Sequence, residues 1–258
     1  MLAATRRARI VDLVRSHRSI SNDALASELD VSVETVRRDL DHLHRQGALQ
    51  RVRGGAVRRR TAVSTEPSFP ARQDLAAAEK NVIAHAAAAL VAESRTVFLD
   101  IGTTAAAVAT VLAPEFRGTV VTPSMRVAEI LSESAAIEVL VPGGRVRGGD
   151  MSISGPTARA FLADINPDVT LLGTGGVDLE AGITDFELAE VDIKRVVMAN
   201  SAHTYALADS SKVAVRAPYR VCDLSEVDAV VTDLGISESD RDAFDSHGID
   251  VIVGPIHS

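Results

Sequence analysis

Between residues 6 and 45 the apolar positions recur at helical spacing, and three short stripes can be traced. Ile10, Leu13 and Val14 stand at i, i+3 and i+4 in a segment 6–15 whose arginines lie mostly off that stripe, which predicts a first helix. His17-Arg18-Ser19 interrupts the pattern. Ser21 or Asn22 is placed to cap a second helix over 23–29, with Leu25, Ala26 and Leu29 facing inward. After the turn at Asp30-Val31, Ser32 is placed to cap a third helix that runs to about Arg45 and stops at Gly47. At 100° per residue, Val33, Val36, Leu40 and Leu43 fall on one side of this helix, with Thr35, Arg38 and His42 on the other. Three helices, the last two joined by a short turn, are the outline of a helix-turn-helix. Residues 48–57 then alternate around Arg51 and Arg53 and contain Gly54-Gly55, the pattern of a β-hairpin wing.

Residues 58–75 hold two prolines and several hydroxyl residues without a period, and are read as a linker that opens on the solvated run Arg58-Arg59-Arg60. An Ala-rich helix is predicted over 76–92. Short Val/Ile/Leu strands then alternate with helices: strands over 96–100, 119–122, 137–141, 169–173, 204–208, 229–233 and 250–253, helices over 104–112, 125–132, 157–164, 187–200 and 238–246. The fold class is therefore α/β, a small helical head followed by a mostly parallel sheet covered by helices. The domains expected are a DNA-binding head over 1–57, the linker, and a second domain over 76–258.

Net charge changes this picture once it is divided. Residues 1–60 hold thirteen Arg against seven acidic residues, for +6, whereas the remainder carries −14 of the total −8. A basic head on an acidic body assigns contact with a polyanion to the head. In a helix-turn-helix the outward N-terminal half of the last helix enters the major groove. Arg38 is thus the expected base reader, since guanidinium matches guanine bidentately. Ser32, Thr35 and Arg37 suit phosphates or base edges, Arg51 and Arg53 phosphate or the minor groove, and Asp39 is expected to pair with a nearby Arg. His42 reads as a solvated surface residue.

In open parallel sheets ligands bind beyond the carboxyl ends of the strands. There this chain places Asp100-Ile-Gly-Thr-Thr104, Pro123-Ser124, Gly143-Gly144, Gly173-Thr-Gly-Gly176, Asp209-Ser-Ser-Lys212 and Asp233. Gly102-Thr103-Thr104 opens a helix, whose free amides suit a phosphate, and Lys212 adds a point charge. The chain has only three lysines, Lys80, Lys194 and Lys212, two of them near this proposed site. Neither a Walker A pattern nor a GxGxxG fingerprint is present, which disfavours nucleotides. A single cysteine, Cys222, excludes an intrachain disulfide and a cysteine metal cage, and reads as a small buried residue. No apolar run is long enough to span a bilayer, and the N-terminus lacks a signal-peptide pattern, so a cytoplasmic location is expected. No cofactor, metal or catalytic set is expected.

The segment 31–57, VSVETVRRDLDHLHRQGALQRVRGGAV, resembles the winged helix-turn-helix of the DeoR family of bacterial repressors. FLDIGTT, VVTPSMRVA, VPGGRVRGGDMSISGPTA, GITDFELAEVDIKR and LADSSK, in this order, resemble that family's effector domain, which is similar to ribose-5-phosphate isomerase. The resemblance implies a phosphate loop at Asp100, Gly102, Thr103 and Thr104. It further implies a ligand lined by Ser124, Gly143, Gly144, Gly175, Asp185, Glu190, Lys194, Asp209 and Lys212. Three departures stand out: Arg53 where the family often has His, Pro123 where it usually has Asn, and Asp185-Phe186-Glu187 where it often has Thr, an aromatic and Asn. The two added carboxylates are expected to repel a phosphate but accept sugar hydroxyls. What the resemblance implies is a homo-oligomeric repressor (dimer or tetramer) of a carbohydrate operon, which releases double-stranded operator DNA when a phosphorylated sugar or polyol binds. A weaker alternative is an isomerase using Asp100, Asp185 or Glu187 as general base; a purely structural nucleoid protein is weaker still.

Overall fold

A computed structural model of the chain describes residues 2–17, 19–46, 48–57 and 61–254. Gly47, Arg18 and the run Arg58-Arg59-Arg60, all invoked above, lie outside the described residues. The chain divides into two compact units: residues 1–61, with which the short segment 237–243 is grouped, and the chain from 62 to 236 together with that from 244 onward.

The first unit contains α1 (Ala3–Ser16), β1 (Ser19–Ser21), α2 (Asn22–Leu29), α3 (Val33–Arg45), β2 (Gln50–Val52) and β3 (Gly55–Val57). Ile10, Leu13, Val14, Leu25, Leu29, Val36, Leu40 and Leu43 form its core, closed by Leu49 and Ala56 of the wing. Val33, expected inside, is only half-buried. Ser21 and Ser32 cap α2 and α3, their side chains accepting from the amides of Ala24 and Thr35. Ser19, the last residue of the break read above, begins a strand, β1, which pairs antiparallel with β3 to make a three-stranded sheet. That pairing explains Gly55: a Cβ there would lie 2.2 Å from the Ile20 carbonyl oxygen. Gly54 takes the hairpin turn with φ of +90°.

Asp39 does pair, and with two partners. It is 2% exposed and accepts from Arg6 Nε at 2.6 Å and Arg7 Nε at 2.7 Å, tying α3 to α1. Burial alone would raise its carboxyl, but the two guanidinium groups hold it below the usual range. Asp39→Asn should therefore cost about 2–3 kcal/mol, because both arginines keep their burial and lose their counter-charge. Urea unfolding of the full chain, followed on the head's transition, measures this; an unchanged midpoint would refute the brace.

The rest of the chain follows as β4 (Thr61–Ala62), α4 (Phe69–Asp74), α5 (Ala77–Leu90), β5 (Thr96–Leu99), α6 (Thr103–Leu112), β6 (Gly118–Val121), α7 (Met125–Ser132), β7 (Ile137–Leu140), β8 (Arg145–Arg147), β9 (Ser152–Ser154), α8 (Pro156–Ala163), β10 (Val169–Gly173), β11 (Gly176–Asp178), β12 (Gly182–Asp185), α9 (Leu188–Asn200), β13 (His203–Leu207), β14 (Val215–Arg216), β15 (Tyr219–Cys222), β16 (Ala229–Thr232), α10 (Glu238–Asp245) and β17 (Asp250–Val253). Seven strands form one parallel sheet in the order β17-β16-β13-β10-β5-β6-β7. Alternation along β5 shows why both faces are covered. Val97 and Leu99 pack with α5, α6 and α7, and Phe98 packs with α8 and α9. Cys222 lies in the core formed by β13, β16 and β15.

Strand order reverses at β5: β6 and β7 follow on one side, β10 and its successors on the other. The loops leaving β5 and β10 therefore diverge and open a crevice, the place where such sheets take ligands. Three smaller pieces escaped the sequence pattern: the hairpin β8–β9, the antiparallel sheet β11-β12-β15, and the ordered strand and helix within the expected linker.

Candidate functional site

The crevice holds a cavity of about 210 Å³. Its floor is the loop after β5 (Ile101 to Thr104), the loop after β10 (Gly173 to Gly175), Asp185 and Phe186 after β12, and Asp209, Ser211 and Lys212 after β13. Gly102 takes φ of +96°, which a side chain disfavours, and has no side chain with which to cap α6. The helix thus begins at Thr103 with its positive end toward the cavity, and Thr103 and Thr104 line it.

Beneath lies Lys194, 1% exposed. Its ammonium donates to Gly173 O at 2.6 Å, Asp100 Oδ2 at 2.7 Å and Asp185 Oδ2 at 2.5 Å. Burial would lower its pKa, but the two carboxylates outweigh this and hold it above the ordinary lysine value. Asp100 Oδ2 also accepts the Gly173 amide at 2.8 Å, which pins the β5 and β10 loops together. Lys212 donates to Thr174 O at 2.5 Å, and Lys80 to Leu75 O at 2.5 Å and to Arg72 O. Burial lowers both amines from the usual lysine range. All three lysines of the chain therefore line this one cavity, where the sequence placed two.

The wall is the segment read above as a linker. Val63, Glu66, Pro67, Arg72 and Leu75 all line the cavity. Phe69 is buried and carries the Arg126 guanidinium over its ring at 4.2 Å, which anchors α4. Val63 N–H donates to Arg216 O at 2.9 Å. Arg72 pairs with Glu66 at 2.7 Å and with Asp150. An aromatic at position 69 within an otherwise polar, Pro-containing stretch was the available sign that this segment docks.

Of the expected ligand residues, Gly102, Thr103, Thr104, Gly175, Asp185, Lys194, Asp209 and Lys212 line the cavity. Asp100 lies under it, engaged by Lys194. Four others are corrected. Ser124 caps α7, its side chain accepting the Val127 amide. Gly143 and Gly144 lead from the edge strand β7 into the β8–β9 hairpin, where a Cβ on Gly144 would lie 2.6 Å from Ser154 O. Glu190 accepts from Ser152 Oγ at 2.5 Å and Arg147 Nε at 3.0 Å, which binds α9 to that hairpin. Asp233, named above only among the strand ends, also lies outside the lining; it accepts from Ser210 and Gly235 and so braces the neighbouring loop. Of the two added carboxylates, Asp185 lines the cavity and shares the Lys194 ammonium with Asp100, whereas Glu187 lies outside it, 3.8 Å from Arg147. The same contacts leave the isomerase alternative without a free base: Asp100 and Asp185 share one ammonium.

In the head, Arg38 is 77% exposed and Arg37 also projects outward; each has a loose partner in Glu34, at 3.9 and 3.5 Å. Such exposed pairs are weak and leave both guanidiniums able to turn to DNA. Ser32 Oγ bonds Thr35 Oγ1 at 2.9 Å, so both are partly committed to the cap. Arg51 pairs with Asp41 of α3 and so braces the wing on the helix, whereas Arg53 stands exposed at the hairpin turn.

A winged helix-turn-helix joined to an α/β domain with a charged crevice defines a ligand-responsive DNA-binding regulator. Two family models match, the DeoR-like helix-turn-helix domain over residues 6–62 and the DeoR C terminal sensor domain over 75–234. The HTH-type transcriptional repressor CsqR of Escherichia coli is 35% identical over 82% of this chain and 80% of its own length. The glycerol-3-phosphate regulon repressor of the same organism is 33% identical over 87% of this chain and 88% of its own. Among similar solved structures is ribose 5-phosphate isomerase A from Methanocaldococcus jannaschii, with a TM-score of 0.40 and 16% identity over 54% of this chain and 55% of that one. The chain belongs to the DeoR family of transcriptional regulators, and is a DNA-binding regulator and not an enzyme.

Glu66 supplies a pH signature of the cavity wall. Burial pushes its carboxyl from 4.5 up to about 7; Arg72 and Arg147 pull it down, and Asp150 and Asp185 push it further up. Over that window the folded chain keeps a proton that the unfolded chain has lost, so the Glu66 contribution to stability falls as pH rises. In Glu66→Gln that loss is absent. The melting-temperature difference, variant minus wild type, should grow from pH 4.5 to about 7 and then level. A difference independent of pH would show that Glu66 is not held protonated.

Proposed function

We propose that this regulator represses a carbohydrate- or polyol-phosphate operon and that a small phosphorylated sugar or polyol, seated in the crevice, relieves the repression. The observation that carries this reading is the set of cations on one cavity. Arg72, Lys80 and Lys212 line it together with the uncapped start of α6, the combination that receives a phosphate. Asp185, Asp209 and Thr174 line the same space and can accept or donate to hydroxyls. A relative named for a glycerol-3-phosphate regulon is in keeping with such a ligand. In the head, Arg38 reads a base edge; Ser32, Thr35, Arg37, Arg51 and Arg53 set the register on the phosphates. The protein acts on operator DNA as a homo-oligomer in the cytoplasm, the symmetry of half-sites matching that of the oligomer. Among the described residues no helix is long and apolar enough to cross a membrane.

A thermal-shift screen against sugar and polyol phosphates tests the crevice. A ligand present at 100 times its dissociation constant stabilises by about 2.7 kcal/mol, and its dephosphorylated counterpart should give no shift. Equal shifts from both would remove the phosphate from the reading.

Arg38→Ala tests the head. It should cost about 1–3 kcal/mol of operator affinity and relax the preference at one base pair. A loss spread equally over all sequences, measured by competition with mutated operators, would make Arg38 a phosphate contact.

A further inference from the structure

Arg72 occupies a position that the family resemblance did not mark. It sits on the strap 62–75, which stands in the chain between the DNA-binding unit and α5. Its Nη1 lies 3.7 Å from where a Cβ on Gly102 would be, at the opening of α6. Yet the guanidinium is now spent on the protein itself: on Glu66 at 2.7 Å, on Asp150, and through Nε on Pro67 O at 2.9 Å. Two of these three partners belong to the strap. Arg72 is therefore both a wall of the cavity and the clasp that holds the strap in its present form.

We propose that the phosphate of the effector takes Arg72 from Glu66 and Asp150, and that this exchange is how the bound ligand acts on the strap and through it on the DNA-binding unit. The proposal rests on the reading that the crevice binds a phosphorylated sugar or polyol. A phosphate dianion offers more charge and more acceptor oxygens than either carboxylate, and a guanidinium meets it bidentately. The carboxylates left behind keep Arg147, whose Nη2 lies 2.7 Å from Asp150 and 3.7 Å from Glu66 and is shared with Glu190 at 2.9 Å. Burial favours the proton on Glu66, which lowers the cost of losing Arg72 further.

Val63 and Phe69 tie the strap to Arg216 and Arg126, and further ties run through Arg72 or its neighbours. Lys80 donates to the carbonyls of Arg72 and Leu75, and Pro67 O loses its donor if the guanidinium turns. By sequence, four residues separate the end of β3 at Val57 from the start of the strap at Ala62. A ligand shifts an equilibrium only by binding its two arrangements unequally. Arg72, bonded to the protein in one arrangement and to the ligand in the other, supplies that inequality.

The test uses the two partners of one ion pair. Calorimetry on the full chain with glycerol 3-phosphate, ribose 5-phosphate, glucose 6-phosphate and inorganic phosphate identifies the tightest probe. Arg72→Gln should weaken that probe by about tenfold or more, Arg72→Lys should recover part of the loss, and Glu66→Gln should tighten binding severalfold, because the competitor for Arg72 is gone. A purely structural clasp would weaken binding in both Arg72→Gln and Glu66→Gln, and that result overturns the proposal; so does unchanged affinity in both. On a promoter fragment of the protein's own gene, saturating probe should alter the affinity of wild type but not of Arg72→Gln, and an undiminished response would overturn the coupling. Absence of binding by wild type to every probe would instead sink the phosphorylated-ligand reading, and this proposal with it.

Discussion

The carboxyl edge of the sheet is organised around one buried ammonium. Lys194 has three hydrogens to donate and three acceptors in place: the Gly173 carbonyl, Asp100 and Asp185. These come from the ends of β10, β5 and β12, which this one ammonium joins. Without Lys194 two carboxylates would face each other in a buried site with no counter-charge between them, and the β5 and β10 loops would keep the Gly173 amide on Asp100. The saturation of this lysine also decides what the ligand meets. A cation with all its hydrogens committed sets the floor, and the remaining cations, Arg72, Lys80 and Lys212, are left to meet an anion.

The cavity thus joins parts of different rigidity. Its floor is built from strand ends in a seven-stranded parallel sheet, with core side chains on both faces. Its wall is a short strand, an extended run and a helix of six residues, tied by ion pairs, a few backbone bonds and Phe69. Packed cores resist deformation, whereas segments with few apolar contacts rearrange at low cost. A sensor needs both, one to fix where the ligand sits and one to register that it has arrived.

Most of the fold was legible because its elements carry a period. Alternation and short apolar runs identified every strand of the large sheet, and helical spacing identified α1 to α3 and the helices of the second unit apart from α4. Pieces without a period were missed: β1, the β8–β9 hairpin and the strap, each too short or too polar to announce a face. At the site, the loops after β5, β10 and β13 were legible because ligand crevices follow from sheet topology. The same logic misled at Gly143-Gly144, which follow an edge strand two places from the reversal, and at Ser124, where a hydroxyl beside a helix start serves as its cap. Glu190 has a carboxylate that looked available and is held by Ser152 and Arg147. Arg51 has an exposed partner in Asp41, which the sequence does not reveal. Contacts between segments far apart in the chain decide which charged groups remain free, and no local pattern encodes them.

The concentration of lysines has a chemical corollary. With arginine at 24 positions and all three lysines lining one crevice, the protein carries no side-chain amine outside it. Guanidinium is inert to acylating agents and to aldehydes at neutral pH, whereas an amine is a nucleophile once it gives up its proton, which burial favours at Lys80 and Lys212. Carbonyl and acyl electrophiles that modify lysine are therefore steered to the interior of the sensor, while the arginine-studded exterior is spared. Open-chain sugars, which carry such a carbonyl, would meet Lys80 and Lys212 within the same walls that receive them as ligands.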